Sequence, residues 1–295
     1  MNEDLLLGDA PDLPEWPGWC CSYCAAPLRP SGHGLACARE GRWFATLGGI
    51  HRLLDDQRRR ELQPAVEAAR RAQRDERWTA GRARHFARAL DLSAARLGPG
   101  PWRVLDAGAG CGWAAVRLLE LGHAVVAVDI DVDEGSGLGA AAMFGGDPPR
   151  LRRAEADIES LPLEPAGMDL VLAAGVLHQA PRPARTLLEL RRVTRRGGIL
   201  VVIDTPVYRR AAVGERAAAE RAEAGRRRYG FDPPELGRGY LVRSELSGLF
   251  EGAGWRLEVF GWPGPLRQGA SELVDAARHG RPGPRFPVLI GRRDG

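Results

Sequence analysis

The chain contains no lysine. All 42 of its basic residues are arginine, set against 38 acidic residues for a net charge of +4. Alongside 38 glycines, 22 prolines and abundant alanine, an arginine excess of this kind reflects GC-rich coding. The basic balance is therefore weak support for a nucleic-acid partner. Long apolar runs are also missing: none approaches the roughly 20 residues of a membrane span. The first residues, Met1-Asn2-Glu3-Asp4, are acidic and carry no basic n-region. A signal peptide is not expected, and a cytoplasmic setting is. Cysteine is scarce, and four of the five fall between Cys20 and Cys37. That clustering does not suit a secreted disulfide framework and suits metal ligands better. No internal repeat or coiled-coil heptad is apparent.

What remains is a chain of 295 residues, 44% hydrophobic, long enough for about two domains and a sizeable core. Its organising stretch is Val104 to Trp113, V-L-D-A-G-A-G-C-G-W. An apolar strand ends in Asp106, Gly108, Gly110 and Gly112 alternate with small residues, and a helical pattern starts at Trp113. Such a glycine turn lets a ligand lie against bare main chain. The helix start beside it offers unpaired N–H groups and partial positive charge. The spacing is G-x-G-x-G, not the G-x-G-x-x-G of dinucleotide sites. His123 to Ile130 then reads as a buried parallel strand ending in Asp129, whose carboxylate can accept from two ribose hydroxyls. Leu151 to Ala156, Gly167 to Ala174 and Ile199 to Ile203 read as further strands, with a helix over Ala184 to Val193.

This succession resembles the class I S-adenosylmethionine (SAM) dependent methyltransferases. The motif I loop, Asp129, Asp157-Ile158, the M-D-L-V strand and the G-G-I-L-V-V strand stand in the family's order over Pro101 to Asp204. The resemblance implies an α/β, doubly wound, Rossmann-like sheet of seven strands and SAM as cofactor. It implies that Asp106 with Gly108, Gly110 and Gly112 holds the methionine end, Asp129 with Ile130 the ribose, and Asp157 with Ile158 the adenine. Ala174 ends the fourth strand beside them. His178 follows at the carboxyl end of that strand, where such sheets carry ligands. It is a candidate base; many relatives carry a structural histidine there. Cys111 reads as a small helix-start residue.

The N-terminal stretch resembles the Trm112-like zinc-ribbon modules that precede some bacterial methyltransferases. Cys21, Cys24 and Cys37 match three ligands, and Glu40 stands at the fourth. Cys20 and His33 are alternative donors, and a metal-free ribbon held by Trp and Leu packing is the other reading. The expected organisation is an arm over 1–19, a zinc-ribbon-like module over 20–54, a helical connector or lid over 55–98 and a methyltransferase domain over 99–295. Within that domain 205–239 forms a cap, with Tyr208, Tyr229 and Phe231 as candidate pocket-lining aromatics. Trp78 belongs to the candidate lid. A helix at Leu241 to Phe250, a strand at Trp255 to Phe260, a short helix near Ser271 to Arg278 and a last strand at Phe286 to Ile290 complete it.

Three functions fit: methyl transfer to a small molecule, methylation of ribosomal or transfer RNA with the ribbon as recognition module, and a SAM-binding scaffold without catalysis. A protein partner docking on the ribbon is compatible with each. Against RNA, acids are interspersed among the arginines of 58–88, and no N-P-P-Y-type motif follows the fourth strand.

Overall fold

A computed structural model describes residues 16–73, 80–140, 149–230, 236–262, 275 and 280–294. The elements run β1 (Arg29–Ser31), β2 (Gly34–Cys37), β3 (Arg42–Leu47), β4 (Ile50–Arg52), α1 (Asp56–Gln73), α2 (Ala80–Leu97), β5 (Arg103–Ala107), α3 (Trp113–Glu120), β6 (Ala124–Asp129), β7 (Leu151–Glu155) and β8 (Met168–Ala174). Next come α4 (Pro183–Val193), β9 (Thr194–Ile203), β10 (Val207–Tyr208), α5 (Ala211–Tyr229), β11 (Leu241–Val242), α6 (Leu246–Gly252), β12 (Arg256–Phe260) and β13 (Val288–Arg292). Trp78, Phe231 and nearly all of the helix expected near Ser271 to Arg278 lie outside the described residues.

The apolar runs form the middle of the sheet. Val104, Val125, Val126, Val128, Val171 and Val201 are at most 1% exposed, as befits parallel strands covered on both faces. Strand order is β7-β6-β5-β8-β9-β13-β12. The first five are mutually parallel, and β13 inserts antiparallel between β9 and β12. Those seven strands make the doubly wound core. The order reverses between β6-β5 and β8, and such a switch point opens a crevice at the carboxyl ends of the strands.

The sheet does not stop at seven. The ribbon strands continue it, giving β1-β2-β3-β4 before β7 and eleven strands in all. Ile50, His51 and Arg52 pair in parallel with Arg153, Ala154 and Glu155. Trp19 is buried, bridges to Leu163 and packs edge-on against His51. Three local features refine this picture. Arg195 to Gly198 continues β9 and does not terminate the preceding helix, because Thr194 already pairs with Met168. The stretch from Leu241 splits into β11, a 3₁₀ turn over Arg243–Glu245 and α6, because β11 is drawn into parallel pairing with β10. Tyr208 is 2% exposed, meets Tyr240 edge-on at 5.7 Å, clusters with Ala217 of α5 and also lines a cavity with Val207 and Trp262.

Both long N-terminal helices cover the ligand edge. Helix α1 is fixed by ion pairs to acids at the ends of β6 and β7, described below. Helix α2 buries Phe86 and Ala89 in the core cluster that also holds Val104, Ala115 and Val201. Phe86 stands edge-on to Trp113, the first residue of α3, with centroids 5.0 Å apart. The helix after the connector is thereby locked to the start of the helix that follows the glycine loop.

Candidate active site

Strands β5, β6, β7 and β8 lie side by side and parallel. Their carboxyl ends bring Asp106, the loop Gly108 to Gly112, Asp129 with Ile130, Asp157 with Ile158, and Ala174 to one edge. The loop needs its glycines. Gly108 has φ +74°, and a Cβ there would stand 2.6 Å from Val176 Cγ2. Gly110 has φ +53° with open space where its Cβ would be, leaving main chain exposed for a ligand. Its N–H donates to Asp129 Oδ2 at 2.8 Å.

Two carboxylates dominate the electrostatics. Asp106 is 1% exposed, and its Oδ2 has no hydrogen-bond partner. Desolvation, reinforced by the charge of Asp129, pushes it up to about 7, opposed by the Ala115 amide. Asp129 is raised to about 6, again by desolvation first, against hydrogen bonds from the amides of Asp131, Gly110 and Ile130. A buried acid left with an orphaned oxygen is costly, and such groups concentrate where a ligand completes the site.

The other acids of the edge are paired. Arg58 Nε donates to Asp157 Oδ2 at 2.6 Å, while Oδ1 accepts the Glu159 N–H at 2.9 Å. Arg59 holds Glu155 through two bonds of 3.0 and 3.1 Å. Arg70 donates twice to Asp131 Oδ1, at 2.8 and 2.6 Å. Arg58, Arg59 and Arg70 of α1 thus spend their charge on this edge. Ile158 packs half-buried against the core.

His178 lies in the 3₁₀ turn after β8. Its Nδ1 meets Thr205 Oγ1 at 3.4 Å. Burial first, then the charges of Arg221 and Arg82, lower it to about 4, with Asp204 acting the other way. The imidazole is neutral at physiological pH and a weak proton acceptor. The 205–239 segment does reach this turn: the Gly239 N–H donates to His178 O at 2.9 Å, and Arg221 Nη2 donates to Gly239 O at 3.1 Å.

Sequence reading missed a second group at the same edge. Asp204, directly after β9, accepts from His85 Nδ1 at 2.9 Å and is paired to Arg82 Nε at 3.3 Å. Arg82 and His85 are three apart on α2 and so share a helix face; that spacing was the available signal, but nothing near them in the chain identifies the acid they meet.

In the ribbon, the sulfurs of Cys21, Cys24 and Cys37 all lie within 4.8 Å of one another, Cys24 and Cys37 at 3.6 Å. Among the described residues this is the whole cluster, and the carboxylate of Glu40 is outside it. The turn over residues 38–41 presents the Glu40 N–H to Cys37 Sγ at 3.4 Å and leaves the Glu40 side chain in solvent. Cys20 and His33 also stand outside the cluster.

A strand order of this kind, with a glycine loop and an acid on the next strand, is a Rossmann-like arrangement of the methyltransferase type. Residues 105–202 match a methyltransferase domain family, and that segment is a methyltransferase domain. An uncharacterized methyltransferase of Mycobacterium bovis is 34% identical over 102 residues, 35% of this chain and 39% of its own length. The ubiquinone/menaquinone biosynthesis C-methyltransferase of Rhizobium leguminosarum is 37% identical over 116 residues, 37% of this chain and 43% of that protein. The chain thus spans about two-fifths of the length of these relatives. Among solved structures, YcgJ of Bacillus subtilis gives a TM-score of 0.51 at 18% identity, over 71% of this chain and 99% of that one. A Burkholderia thailandensis 1,6-didemethyltoxoflavin-N1-methyltransferase, bound to its substrate and S-adenosylhomocysteine, gives 0.50 at 19% identity, over 86% and 96%. These two share the fold.

Proposed function

We propose that the chain binds SAM at the β5–β8 edge and transfers its methyl group to a small-molecule acceptor held under the 205–239 cap. The observation that carries this reading is the pair Asp106 and Asp129: two buried or half-buried acids without an ion pair among the described residues, set around a glycine loop open to a ligand. The orphaned Oδ2 of Asp106 suits a cationic amino group, and the Asp129 carboxylate suits a vicinal diol. Asp157 with Ile158 supplies an acceptor and an apolar surface for a purine.

SAM arrives with an activated methyl group, so the chain's task is alignment and exclusion of water. Alignment of two bound partners is worth about 7–11 kcal/mol of barrier. Here the glycine loop and the strand ends fix one partner, while Gly237 to Tyr240 and α5 close over the turn that carries His178. The consumption of Arg58, Arg59 and Arg70 by acids favours a small acceptor over RNA. No helix among the described residues is long and apolar enough to cross a membrane.

The reading is tested by calorimetric binding of S-adenosylhomocysteine, followed by transfer from labelled SAM into extract separated into RNA, protein and small-molecule fractions. Micromolar binding with label in the small-molecule fraction is expected. Label confined to RNA would replace the acceptor class, and absence of binding would overturn the reading.

For the ribbon, we propose that Cys21, Cys24 and Cys37 hold one zinc ion, with the fourth donor supplied by Glu40 after a change of rotamer, or by solvent. Three thiols within 4.8 Å fit the soft donor set of structural zinc. Metal analysis should find one zinc per chain, and a chelator should lower Tm by several degrees, because β4 ties the ribbon to β7. Less than a tenth of an equivalent would remove the metal.

A further inference from the structure

Across the catalytic edge from the glycine loop stands a histidine–carboxylate pair that no motif announces. We propose that His85 is the general base of the acceptor site and Asp204 its positioning partner, and that the acceptor is a weakly acidic hydroxyl that must lose its proton before it can be methylated. The inference rests on the methyl-transfer reading and adds to it the base and the acceptor class.

Position comes first. Residues Gly175 and Val176 leave β8 between two features. On one side Val176 fills the space a Cβ on Gly108 would need, at 2.6 Å. On the other, the Cβ direction of Gly175 points to Arg82 Nη2 at 3.5 Å and to Asp204 Cβ at 3.9 Å. A two-residue stretch therefore separates the loop proposed to hold the sulfonium end from the His85–Asp204 pair. Both lie at the carboxyl ends of neighbouring strands, β5 and β9 flanking β8.

Geometry comes next. Asp204 Oδ1 meets His85 Nδ1 at 2.9 Å, and the two side chains are 12% and 17% exposed. With the carboxylate ionised, Nδ1 carries the proton and donates, and the Nε2 lone pair is left for a substrate. Arg82 Nε holds the other oxygen of the same carboxylate at 3.3 Å, which fixes its plane. The imidazole is anchored too, because its neighbours Phe86 and Ala89 are buried in the core. Asp204 itself has φ +53°. Such a left-handed backbone is tolerated by Asp better than by most residues, and is the kind of strain that collects at functional sites.

Charge decides between the two histidines. The groups facing this space are Arg82 on α2, Asp204 after β9, His178 after β8 and Arg221 on α5, and the charges of Arg221, Arg82 and Asp204 all act on His178. His178 has arginines as its strongest charged influences and only a 3.4 Å contact to a hydroxyl. His85 has a carboxylate in direct contact at 2.9 Å, which holds the ring and sets its tautomer. Arg82 and Arg221 add a positive field that favours an anionic acceptor.

The step balances simply. The acceptor O–H bond breaks as its proton moves to His85 Nε2. The oxygen pair forms the new O–CH3 bond. The S–CH3 bond breaks with its electrons remaining on sulfur, giving S-adenosylhomocysteine, and the imidazolium returns its proton to solvent.

Two measurements on the full chain test this. In ¹⁵N-histidine NMR, assigned with H85Q, His85 should show the Nδ1–H tautomer, and D204N should shift the population towards Nε2–H. In transfer from labelled SAM to the small-molecule fraction, H85Q should lose at least about 100-fold in rate with S-adenosylhomocysteine affinity within twofold. D204N should lose less, in kcat and not in affinity for S-adenosylhomocysteine. An Nε2–H tautomer in the unmodified chain overturns the proposal, as does H85Q turning over within threefold while H178Q fails. Loss of S-adenosylhomocysteine binding by the unmodified chain would instead strike the methyl-transfer reading itself.

Discussion

Asp106 and Asp129 face the catalytic edge with no ion pair among the described residues, whereas Asp131, Glu155, Asp157 and Asp204 on the same edge each meet an arginine. The bare acids are pushed up towards neutrality by desolvation. The paired ones are held by α1 and α2, helices that arrive from outside the core sheet. Of the bare pair, Asp106 keeps one oxygen without a partner, and Asp129 is held only by main-chain amides. The paired set is an ionic fastening that keeps two cover helices in place. Partly exposed pairs of this kind contribute only about 0–1 kcal/mol each, so their value lies in where they hold the helices.

The contrast predicts its largest effect at Asp129. Asp129→Ala should weaken S-adenosylhomocysteine at least 100-fold, because two hydrogen bonds to a charged acceptor are worth about 1.5–3 kcal/mol each. Calorimetry measures the loss, and an unchanged circular dichroism spectrum and a Tm within a few degrees show that the fold survives the loss of the Gly110 and Asp131 amide bonds. Affinity within threefold of the unmodified chain would break the assignment of a diol to this residue.

Asp106 gives the next effect, with opposite signs in stability and binding. Its carboxyl ionises at about 7 in the folded chain against about 3.9 when unfolded. The folded state therefore keeps a proton the unfolded chain has lost, and stability falls as pH rises from about 4 through 7. Asp106→Asn removes that loss. It should stabilise the free protein at pH 8 by on the order of 3 kcal/mol, with little gain at pH 4, in urea titrations across that range. The same variant should lose affinity for S-adenosylhomocysteine and flatten the decline in affinity that the unmodified chain shows below about pH 7. A variant less stable at pH 8 would mean that the carboxylate is satisfied in the fold.

The two regions also differed in how far the amino-acid sequence discloses them. Asp106, the glycines and Asp129 lie within 24 consecutive residues, and the apolar strands flanking them can only sit side by side in a buried parallel sheet. The bonds of the cover are long-range. His85 and Asp204 are 119 residues apart, Arg58 and Asp157 are 99, and Arg52 and Glu155 are 103. Helical spacing shows that Arg82 and His85 share a face, but which acid they meet depends on how α2 lies across β9. The same holds for β4, whose three residues say nothing of pairing with β7. It holds also for Glu40, where turn geometry directs the amide at Cys37 and the carboxylate to water.

The smallest effect tests whether the fastening is separate from the ligand site. Arg58 holds Asp157 Oδ2 while the Glu159 amide holds Oδ1, so the carboxylate is oriented from both sides. Each oxygen retains a lone pair that can accept from a purine amino group. Arg58→Gln leaves the Glu159 bond in place and removes the charge. Stability should fall by about 1 kcal/mol or less, as for other partly exposed pairs. Affinity for S-adenosylhomocysteine should fall three- to tenfold, and the preference for adenine over hypoxanthine in the corresponding inosyl analogue should shrink, because a freely turning carboxylate discriminates less. The unmodified chain should lose part of that affinity between 50 and 500 mM salt, and the variant less, since the partly exposed pair is screened. If the variant binds more tightly, Arg58 competes with the ligand for Asp157, and α1 is a bar across the site that the cofactor must displace.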